Sequence, residues 1–365
     1  MPTFLHTADI HLDSAFSANF DAKGAELRRG ELLHSTFDMI GRAKGLDLLL
    51  IAGDLFDGES VSAQTLAGLK RKFAEIPDTH IFIAAGNHDA YTPQSVYAKY
   101  DFGDNVHIFG TEFESVELPE INTRVFGVSF ASPLLDKPIS VPKIEKIEGV
   151  TDILVMHADL VSVGGESAYN PIDKSFLENC GADYVALGHI HKRSEVKRCG
   201  QTYYAYSGSP EGRGFDECGD MGCYIGEIKD GVPDIKFEKI SRRRMFHISA
   251  DLSGATDSVN ALEIAMREIE KIGTPNDFYK LTLTGATNNL DIDFMKKELG
   301  LSLHYIEVID RTRPEYDIDK LAEQNTLCGE FVRIMKKRME SSEDKELLLE
   351  AMHIGIAALL GGESS

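Results

Sequence analysis

The sequence has few cysteines, no long apolar run and a deficit of positive charge. Its five cysteines form an odd set without a Cys-x-x-Cys spacing, so we interpret them as reduced and structural rather than as zinc ligands. No apolar stretch approaches the ~20 residues of a membrane-spanning helix. No basic segment precedes a signal-like apolar core at the start of the sequence. We therefore expect a cytoplasmic protein without membrane attachment.

Acidic residues outnumber basic ones, and the formal net charge is −21. This balance argues against a broad nucleic-acid-binding surface, because phosphate contacts need clustered lysine and arginine. A nuclease is still compatible with it. Two divalent ions held by only two carboxylates would leave a site with a charge of roughly +2, which attracts a phosphodiester locally.

The 365 residues permit one large domain and one or two smaller units, and we find no internal repeat. At the start of the chain, apolar runs alternate with segments of helical spacing. The pattern predicts strands over 3–8, 46–51 and 81–84, with helices over 31–44 and 61–74 between them. This βαβαβ order implies parallel strands joined by right-handed crossovers.

Later apolar runs predict further strands and few helices. We expect strands over 106–109, 125–128, 153–156 and 184–187, a helix over 174–179, and a closing meander over 203–206, 223–228 and 235–240. Two sheets packed face to face with helices outside are the architecture that this order favours. The predicted fold class is therefore α/β, a two-sheet α/β/β/α sandwich.

The basic stretch 242–244 marks a predicted domain boundary. Beyond it we expect a compact βαβαβ unit, with strands over 246–252, 278–284 and 303–309 and helices over 258–271 and 291–299. From Ile318 onward the pattern is helical, and Ser341 or Ser342 is the predicted cap of a later helix. The expected division is 1–243, 244–314 and 315–365.

Histidine, aspartate and asparagine recur at the carboxyl ends of the predicted strands. The residues are Asp9, His11, Asp54, Asn87, His88, His157, His189 and His191. Open α/β sheets place their sites at this edge. Any one of these histidines alone is more often a core or surface residue, and Asp54 or Asn87 after glycine could be only a turn residue. Recurrence at five strand ends favours a metal site, and we interpret the remaining histidines as core or surface residues.

The residue types suit two-metal hydrolysis of a phosphodiester, in which ions ~3.5–4 Å apart activate water and neutralise phosphate oxygens. Asp54 is the candidate bridging carboxylate. The ligands of one ion would be Asp9, His11 and His191, and those of the other Asn87, His157 and His189. Imidazole and carboxylate ligands suit manganese, iron or zinc better than calcium. His88, oriented by Asp89, would be a protonated imidazole that assists the leaving oxygen.

These motifs resemble those of the calcineurin-like metallophosphoesterases. The resemblance is carried by Asp9-x-His11, Gly53-Asp54, Gly86-Asn87-His88-Asp89, His157 and Gly188-His189-x-His191. Stretches 4–13, 183–192 and 206–211, with Phe215 and Glu217, are similar to the SbcD-type DNA-repair exonucleases, particularly the YhaO-like branch. The resemblance covers the chain to about Ile240, and the ligand assignments agree with the roles in that family.

The resemblance implies two manganese ions, DNA as substrate and an SMC-like coiled-coil ATPase of the SbcC type as partner. It also places a capping domain over 244–314 and leaves a homodimer open. The tail over 315–365 would dock the ATPase, or else pack on the capping domain. Some members carry a histidine where this chain has Asp57. Bacterial relatives share the aspartate, so activity is still expected.

The leading function is therefore a metal-dependent nuclease subunit, exonuclease or endonuclease, of a DNA-repair complex. One alternative is a small-molecule phosphodiesterase or phosphatase, which would not require the chain beyond Arg244. A second alternative is a binding scaffold with a vestigial metal site, against which the complete ligand set argues. A protein Ser/Thr phosphatase is disfavoured because the Gly-Asp-x-x-Asp-Arg-Gly pattern is absent, with Gly58 directly after Asp57.

Overall fold

The computed structural model describes residues 1–17, 20–288 and 290–361. The chain divides into two compact units, Met1–Met245 and Phe246–Ser365. Within the described ranges, no helix combines the length and the apolar character needed to cross a membrane.

The first unit is built mainly from strands. They are β1 (Thr3–Thr7), β2 (Leu48–Ala52), β3 (His80–Ala84), β4 (Val106–Ile108), β5 (Glu114–Leu118), β6 (Thr123–Val128), β7 (Thr151–His157), β8 (Asp159–Leu160), β9 (Pro171–Ile172), β10 (Tyr184–Gly188), β11 (Lys197–Cys199), β12 (Thr202–Tyr206), β13 (Gly222–Lys229) and β14 (Val232–Lys239). The helices are α1 (Ala22–Arg42), α2 (Ala63–Ala74), α3 (Val96–Lys99) and α4 (Lys174–Asn179), with a 3₁₀ turn at Pro119–Ile121.

The larger strands form two six-stranded sheets. The first has the order β14-β13-β1-β2-β3-β4, in which β1 to β4 are parallel. The second has the order β11-β12-β10-β7-β6-β5, in which β12, β10, β7 and β6 are parallel. The carboxyl ends of the central strands of each sheet therefore meet at one edge.

The predicted closing meander is wrong. Strand β12 pairs with β10 and β11 in the second sheet, whereas β13 and β14 form a hairpin beside β1 in the first sheet. Apolar runs indicate that a segment is a strand, but they carry no information about its pairing partner.

Alternate residues of the central strands face different layers, because successive side chains of a strand point to opposite faces. Phe4, Leu50 and Phe82 of the first sheet share a core with Ile153 and Tyr184 of the second. The opposite face of the first sheet packs under α1 and α2, and that of the second packs under α4. This burial on both faces explains the continuous apolar runs and confirms the α/β/β/α sandwich.

Helix α1 begins at Ala22, well before the predicted start at Glu31. Asp21 caps it by accepting a hydrogen bond from the Gly24 backbone N–H at 2.7 Å. The early turns were missed because they bury Arg28, which is 0% exposed, where an apolar residue is expected. Strand β5 was missed because Glu114–Leu118 alternates with charged residues at a sheet edge.

The second unit contains a three-stranded sheet and several helices. They are β15 (Met245–Asp251), α5 (Ser258–Glu270), β16 (Phe278–Thr284), α6 (Ile292–Ser302), β17 (Tyr305–Asp310), α7 (Ile318–Glu323), α8 (Leu327–Glu340) and α9 (Lys345–Leu359). The sheet order is β15-β16-β17, and β16 runs parallel to β17. Its core includes Leu281 and Tyr279 from β16, with Ala265 of α5 and Leu299 of α6.

Helices α8 and α9 pack around a separate apolar cluster that includes Val332, Met335, Met352 and Ile356. The predicted cap of α9 is wrong, because Asp344 accepts the hydrogen bond from the Leu347 N–H at 3.1 Å. Ser341 instead follows the last residue of α8.

Candidate metal centre

The residues predicted at strand ends converge on the edge where the two sheets end. Asp9 and His11 follow β1, Asp54 follows β2, and Asn87 follows β3. His157 is the last residue of β7, and His189 and His191 follow β10. The structure brings all seven predicted metal ligands together in one cluster of contacts.

The loops that carry these residues have an uncommon backbone. Asp9, His11, Asp54 and His189 all have positive φ angles, between 52° and 108°. Such angles are unfavourable for residues other than glycine and concentrate at functional sites. The turn at His189 also explains how two histidines at i and i+2 reach the same site.

Two glycines allow the close approach of the loops. A Cβ on Gly53, whose φ is +96°, would lie 2.2 Å from His157 Nδ1. A Cβ on Gly86 would lie 2.2 Å from Asp54 Oδ1. The Gly-Asp and Gly-Asn pairs of the sequence are thus required by the packing of the site, in addition to any turn they form.

We call Asp9, His11 and His191 the first ligand set. Their donor atoms lie within 4.8 Å of one another, and His11 Nε2 is 3.2 Å from His191 Nε2. The outer nitrogen of each ring contacts a carboxylate. His11 Nδ1 is 3.0 Å from Asp57 Oδ1, and His191 Nδ1 is 2.6 Å from Glu217 Oε1. Both Nε2 atoms therefore face the interior of the site.

We call Asn87, His157 and His189 the second ligand set. Asn87 Oδ1 is 3.0 Å from His157 Nε2 and 3.3 Å from His189 Nδ1. The other nitrogen of His157 is 2.9 Å from the carbonyl oxygen of Ala52, so His157 Nδ1 carries the proton and donates it to that carbonyl. The lone pair of His157 Nε2 is left for the site.

Asp54 lies between the two ligand sets. Its Oδ2 is 3.6 Å from His11 Nε2 and 3.4 Å from His157 Nε2, and its Oδ1 accepts a hydrogen bond from the His88 N–H at 2.9 Å. Asp9 also contacts the second ligand set, because its carboxylate accepts a hydrogen bond from the His189 backbone N–H at 3.0 Å. Asp54 Oδ2 lies within 3.6 Å of an Nε2 atom of each set, whereas Asp9 Oδ1 lies 4.0 Å from the outer Nδ1 of His157.

The electrostatics are those of a buried donor cluster. Burial raises the pKa of Asp9 to about 6 and lowers the pKa of His11 to about 4 and of His189 to about 4. Burial opposes charge on His191 as well, but the hydrogen bond to Glu217 and the negative charges of Asp9 and Glu217 together outweigh it and raise the pKa of His191. Four imidazoles, with His11 and His157 buried and His189 and His191 half-buried, converge beside two carboxylates and one amide oxygen. This donor set fits divalent transition-metal ions.

His88 lies at the rim of this cluster, and its side chain is 43% exposed. The sequence predicts that Asp89 orients this ring. The Asp89 carboxylate is instead buried, and it accepts hydrogen bonds from Phe56 N, Gly86 N and the Tyr97 hydroxyl. Among the contacts of the described residues, the carboxylate nearest the His88 ring is that of Asp57, with Nδ1 and Oδ1 3.5 Å apart.

Three polar residues around the first ligand set have no role assigned from the sequence, although Asp57 and Glu217 are named there. Asp57 and Glu217 hold the outer nitrogens of His11 and His191, and Arg213 donates to Asp57. A metal-ligating histidine normally donates its second N–H to a carboxylate, carbonyl or water. This rule predicts that carboxylates lie behind His11 and His191. It does not predict which carboxylates of the sequence they are.

Comparison with known proteins gives the family. The profile of the calcineurin-like phosphoesterases matches residues 2–193. The uncharacterized metallophosphoesterase YhaO of Bacillus subtilis is 28% identical over 293 residues, which are 75% of this chain and 69% of that protein.

Two further proteins are also similar to this chain. SbcD of the Escherichia coli nuclease SbcCD is 26% identical over 259 residues, 59% of this chain and 62% of the relative. The DNA double-strand break repair protein Mre11 of Aeropyrum pernix is 24% identical over 292 residues, 74% of this chain and 68% of the relative. With the profile matching more than half of its length, the chain belongs to the calcineurin-like phosphoesterase family, whose members are metal-dependent hydrolases.

Proposed function

We propose that this protein is a two-metal phosphodiester hydrolase that acts on DNA, as the nuclease component of a DNA-repair complex. The observation that carries the proposal is the position of Asp54 between two sets of converging donor atoms. The substrate rests on similarity to a component of a nuclease and to a double-strand break repair protein. These matches cover 62% and 68% of the relatives' lengths.

The proposed ligands of one ion are Asp9, His11 and His191, those of the other are Asn87, His157 and His189, and Asp54 is shared. Manganese is the proposed metal, with iron or zinc as alternatives. Two ions bound there would activate a water molecule and neutralise the non-bridging oxygens of the phosphate. The imidazole nitrogens that face the ions have to be deprotonated. For His157 the Ala52 carbonyl ensures this, because it accepts the hydrogen bond from Nδ1 and leaves Nε2 without a proton.

His88 is the proposed proton donor to the leaving oxygen. Its ring lies at the rim, next to the backbone that binds Asp54, and it is open to a substrate. A protonated ring would donate from one nitrogen to the leaving group while Asp57 accepts from the other. In this proposal Asp57 takes the orienting role first given to Asp89, and Asp89 holds the loop of Asn87.

The direct test is hydrolysis by the purified full chain loaded with manganese. Single-stranded DNA, double-stranded DNA and a chromogenic phosphodiester are compared, with the Asp54→Ala protein as the control for contaminating nucleases. We expect Asp54-dependent cleavage of DNA. Cleavage of the chromogenic ester without cleavage of either DNA would favour a small-molecule phosphodiesterase. No Asp54-dependent cleavage of any substrate would favour a scaffold with a vestigial site.

A coiled-coil ATPase of the SbcC type is the proposed partner, and helices α8 and α9 are its proposed dock. These helices bury one apolar seam against each other, yet Leu327, Leu347 and Ile354 stay at least 60% exposed. Exposed apolar side chains at helical spacing suit a helix-in-groove contact. The division of the second unit into a capping domain over 244–314 and a tail over 315–365 belongs to this proposal.

Substitution of the exposed apolar residues tests the dock without removing a helix. The double substitution Leu347→Glu and Ile354→Glu should abolish capture of the ATPase while metal-dependent cleavage stays at the wild-type level. Leu301→Glu, on the exposed surface of α6, is the matched control. Capture at full yield by the double variant would contradict the dock.

A further inference from the structure

We propose that Arg213 is a positioning residue that fixes the orientation of His11 and His191 through the carboxylates on their outer nitrogens. The inference rests on the proposed two-metal function and extends it to a residue that lies outside the ligand sets. Arg213 follows the Gly208-Ser209-Pro210-Glu211 stretch, in a loop between β12 and β13.

The contacts form a continuous chain from one imidazole to the other. On one side, Arg213 Nη1 donates to Asp57 Oδ1 at 3.0 Å, and the same oxygen is 3.0 Å from His11 Nδ1. On the other side, Arg213 Nε is 3.6 Å from Glu217 Oε1, which is 2.6 Å from His191 Nδ1, and Arg213 Nη2 also lies 3.3 Å from that ring nitrogen. One guanidinium thus joins the two carboxylates that hold the two rings.

This connection crosses between the sheets. His11 comes from the loop after β1 of the first sheet, and His191 comes from the loop after β10 of the second. The two Nε2 atoms must keep a spacing set by one ion, and 3.2 Å separates them here. By joining the carboxylates that contact the outer nitrogens of the two rings, Arg213 stabilises this spacing of the Nε2 atoms.

The planar guanidinium suits this role better than a lysine. Its donors form a rigid fork that can contact two carboxylates at once, whereas an ammonium is a point charge on a flexible chain. Its positive charge also offsets the repulsion between Asp57 and Glu217. The backbone N–H of Arg213 donates to Glu217 Oε2 at 2.9 Å, which fixes the second carboxylate at both oxygens.

The loop behind Arg213 is anchored in the protein interior. The Glu211 side chain is buried and accepts hydrogen bonds from Arg28 Nη2 at 3.0 Å and from the Ser35 hydroxyl at 2.7 Å. Arg28 also donates to the Gly212 carbonyl at 2.7 Å. Arg213 itself is only 20% exposed. It therefore extends from a fixed backbone, unlike a surface arginine whose ion pair contributes little.

The second ligand set supplies an internal control. The outer nitrogen of His157 bonds to the Ala52 carbonyl, which is part of β2 and not of the Arg213 chain of contacts. Loss of Arg213 should therefore weaken one ion and spare the other. A substitution that merely destabilised the fold would weaken both.

The experiment measures manganese binding to the full-length Arg213→Met protein. Titration calorimetry gives two dissociation constants, and electron paramagnetic resonance distinguishes coupled ion pairs from single ions. We expect one ion to bind about 10-fold more weakly, at the lower end of the ~10–100-fold range for outer partners of metal ligands, because Arg213 acts through two carboxylates. The other ion should keep its affinity. At intermediate manganese the variant should show single ions where wild type shows pairs.

Companion variants make the result specific. Arg213→Lys should show an intermediate loss, and Arg198→Met, whose arginine contacts Gly200 and Gln201 on the second sheet, should behave as wild type. Combined with Asp57→Asn, the Arg213→Met loss should not be additive, because both changes break the same chain of contacts.

Three results would overturn the inference: wild-type affinity for both ions in Arg213→Met, equal weakening of both ions, or full additivity with Asp57→Asn. If Arg213→Met does not fold, the Lys variant decides, and wild-type affinity for both ions there overturns the inference too. A wild-type protein that binds two ions and cleaves no phosphodiester would refute the proposed function and leave this test valid.

Discussion

The two ligand sets of the metal centre are held in different ways. In the first set, the outer nitrogens of His11 and His191 contact the carboxylates of Asp57 and Glu217. In the second set, His157 bonds to a strand carbonyl and packs edge-on against the Phe130 ring, with centroids 5.5 Å apart. One set thus depends on charged side chains, and the other depends on sheet backbone and aromatic packing.

The residues behind the two ligand sets also differ in their exposure to solvent. Asp57 and Arg213 are partly open to solvent, 24% and 20% exposed, whereas Glu217 is buried and His157 and Phe130 are fully buried. Substitutions of outer residues should therefore change the affinity of the first ion more than that of the second. Salt should act in the same direction, because ion pairs near the surface are screened.

The largest effect should come from the residue that serves both sets. Asp54→Ala removes the carboxylate between His11 and His157, so at least one ion should be lost or displaced. Hydrolysis should fall on the order of 10³-fold or more, because each ion contributes several kcal/mol to the transition state. Metal content by mass spectrometry and cleavage assays measure this. Two ions bound with wild-type affinity would refute the bridging role.

Substitution of His88 should affect the rate of cleavage and leave metal binding unchanged. His88→Ala should keep both ions and still bind DNA, while the cleavage rate falls ~10²–10⁴-fold, the usual contribution of a positioned proton donor. His34→Ala, an exposed histidine on α1, is the matched control and should cleave normally. Wild-type turnover, or loss of metal, would show that the role of His88 is misassigned.

A paired substitution sharpens the comparison of the two sets. Glu217→Gln removes the charge on the outer side of His191, and it should weaken one ion ~10–100-fold. Tyr169→Leu removes the ring that lies 4.9 Å from His189 in the second set, and its effect on metal affinity should be smaller. Calorimetric titration of both variants tests this order. A larger loss of manganese affinity for Tyr169→Leu than for Glu217→Gln would contradict this order. It would mean that aromatic packing contributes more to metal binding than the charge behind His191.

The smallest expected effect is on the stability of the fold, through a histidine in the strands beneath the two ligand sets. His6 of β1 joins the sheets, because Nδ1 is 2.9 Å from the Tyr184 hydroxyl and Nε2 is 3.2 Å from the Leu187 carbonyl oxygen of β10. Burial lowers the pKa of His6 from 6.5 to about 3. Between these pH values the unfolded chain binds a proton that the folded chain does not. Stability should therefore fall as pH is lowered through that window.

Urea unfolding of wild type and His6→Gln between pH 7.5 and 5 measures this contribution. His6→Gln should be less stable at pH 7.5, and the difference should shrink on acidification by up to ~1.4 kcal/mol per pH unit. His34→Gln should keep the wild-type slope. Parallel loss of stability in wild type and His6→Gln would contradict the assignment.

The pattern of residue types was enough to predict the layers of the fold and the residues that converge at the candidate site. Apolar runs that end in Asp9, Asp54, Asn87 or His157 require strands buried on both faces whose carboxyl ends share an edge. The fold class could be predicted because hydrophobic periodicity is a local property. The predicted ligands could be named because their motifs stand at those strand ends.

The groups that lie behind the ligands are set by long-range packing and could not be predicted. Asp89 is adjacent to His88 in sequence, yet its carboxylate turns into the core, and Asp57 takes its place beside the ring. Arg213 and Glu217 reach His191 from positions 22 and 26 residues further along the chain. The same holds for the pairing of β12 with β10 and for the burial of Arg28. Such contacts depend on how distant segments pack, and local patterns of residue type do not encode the partner.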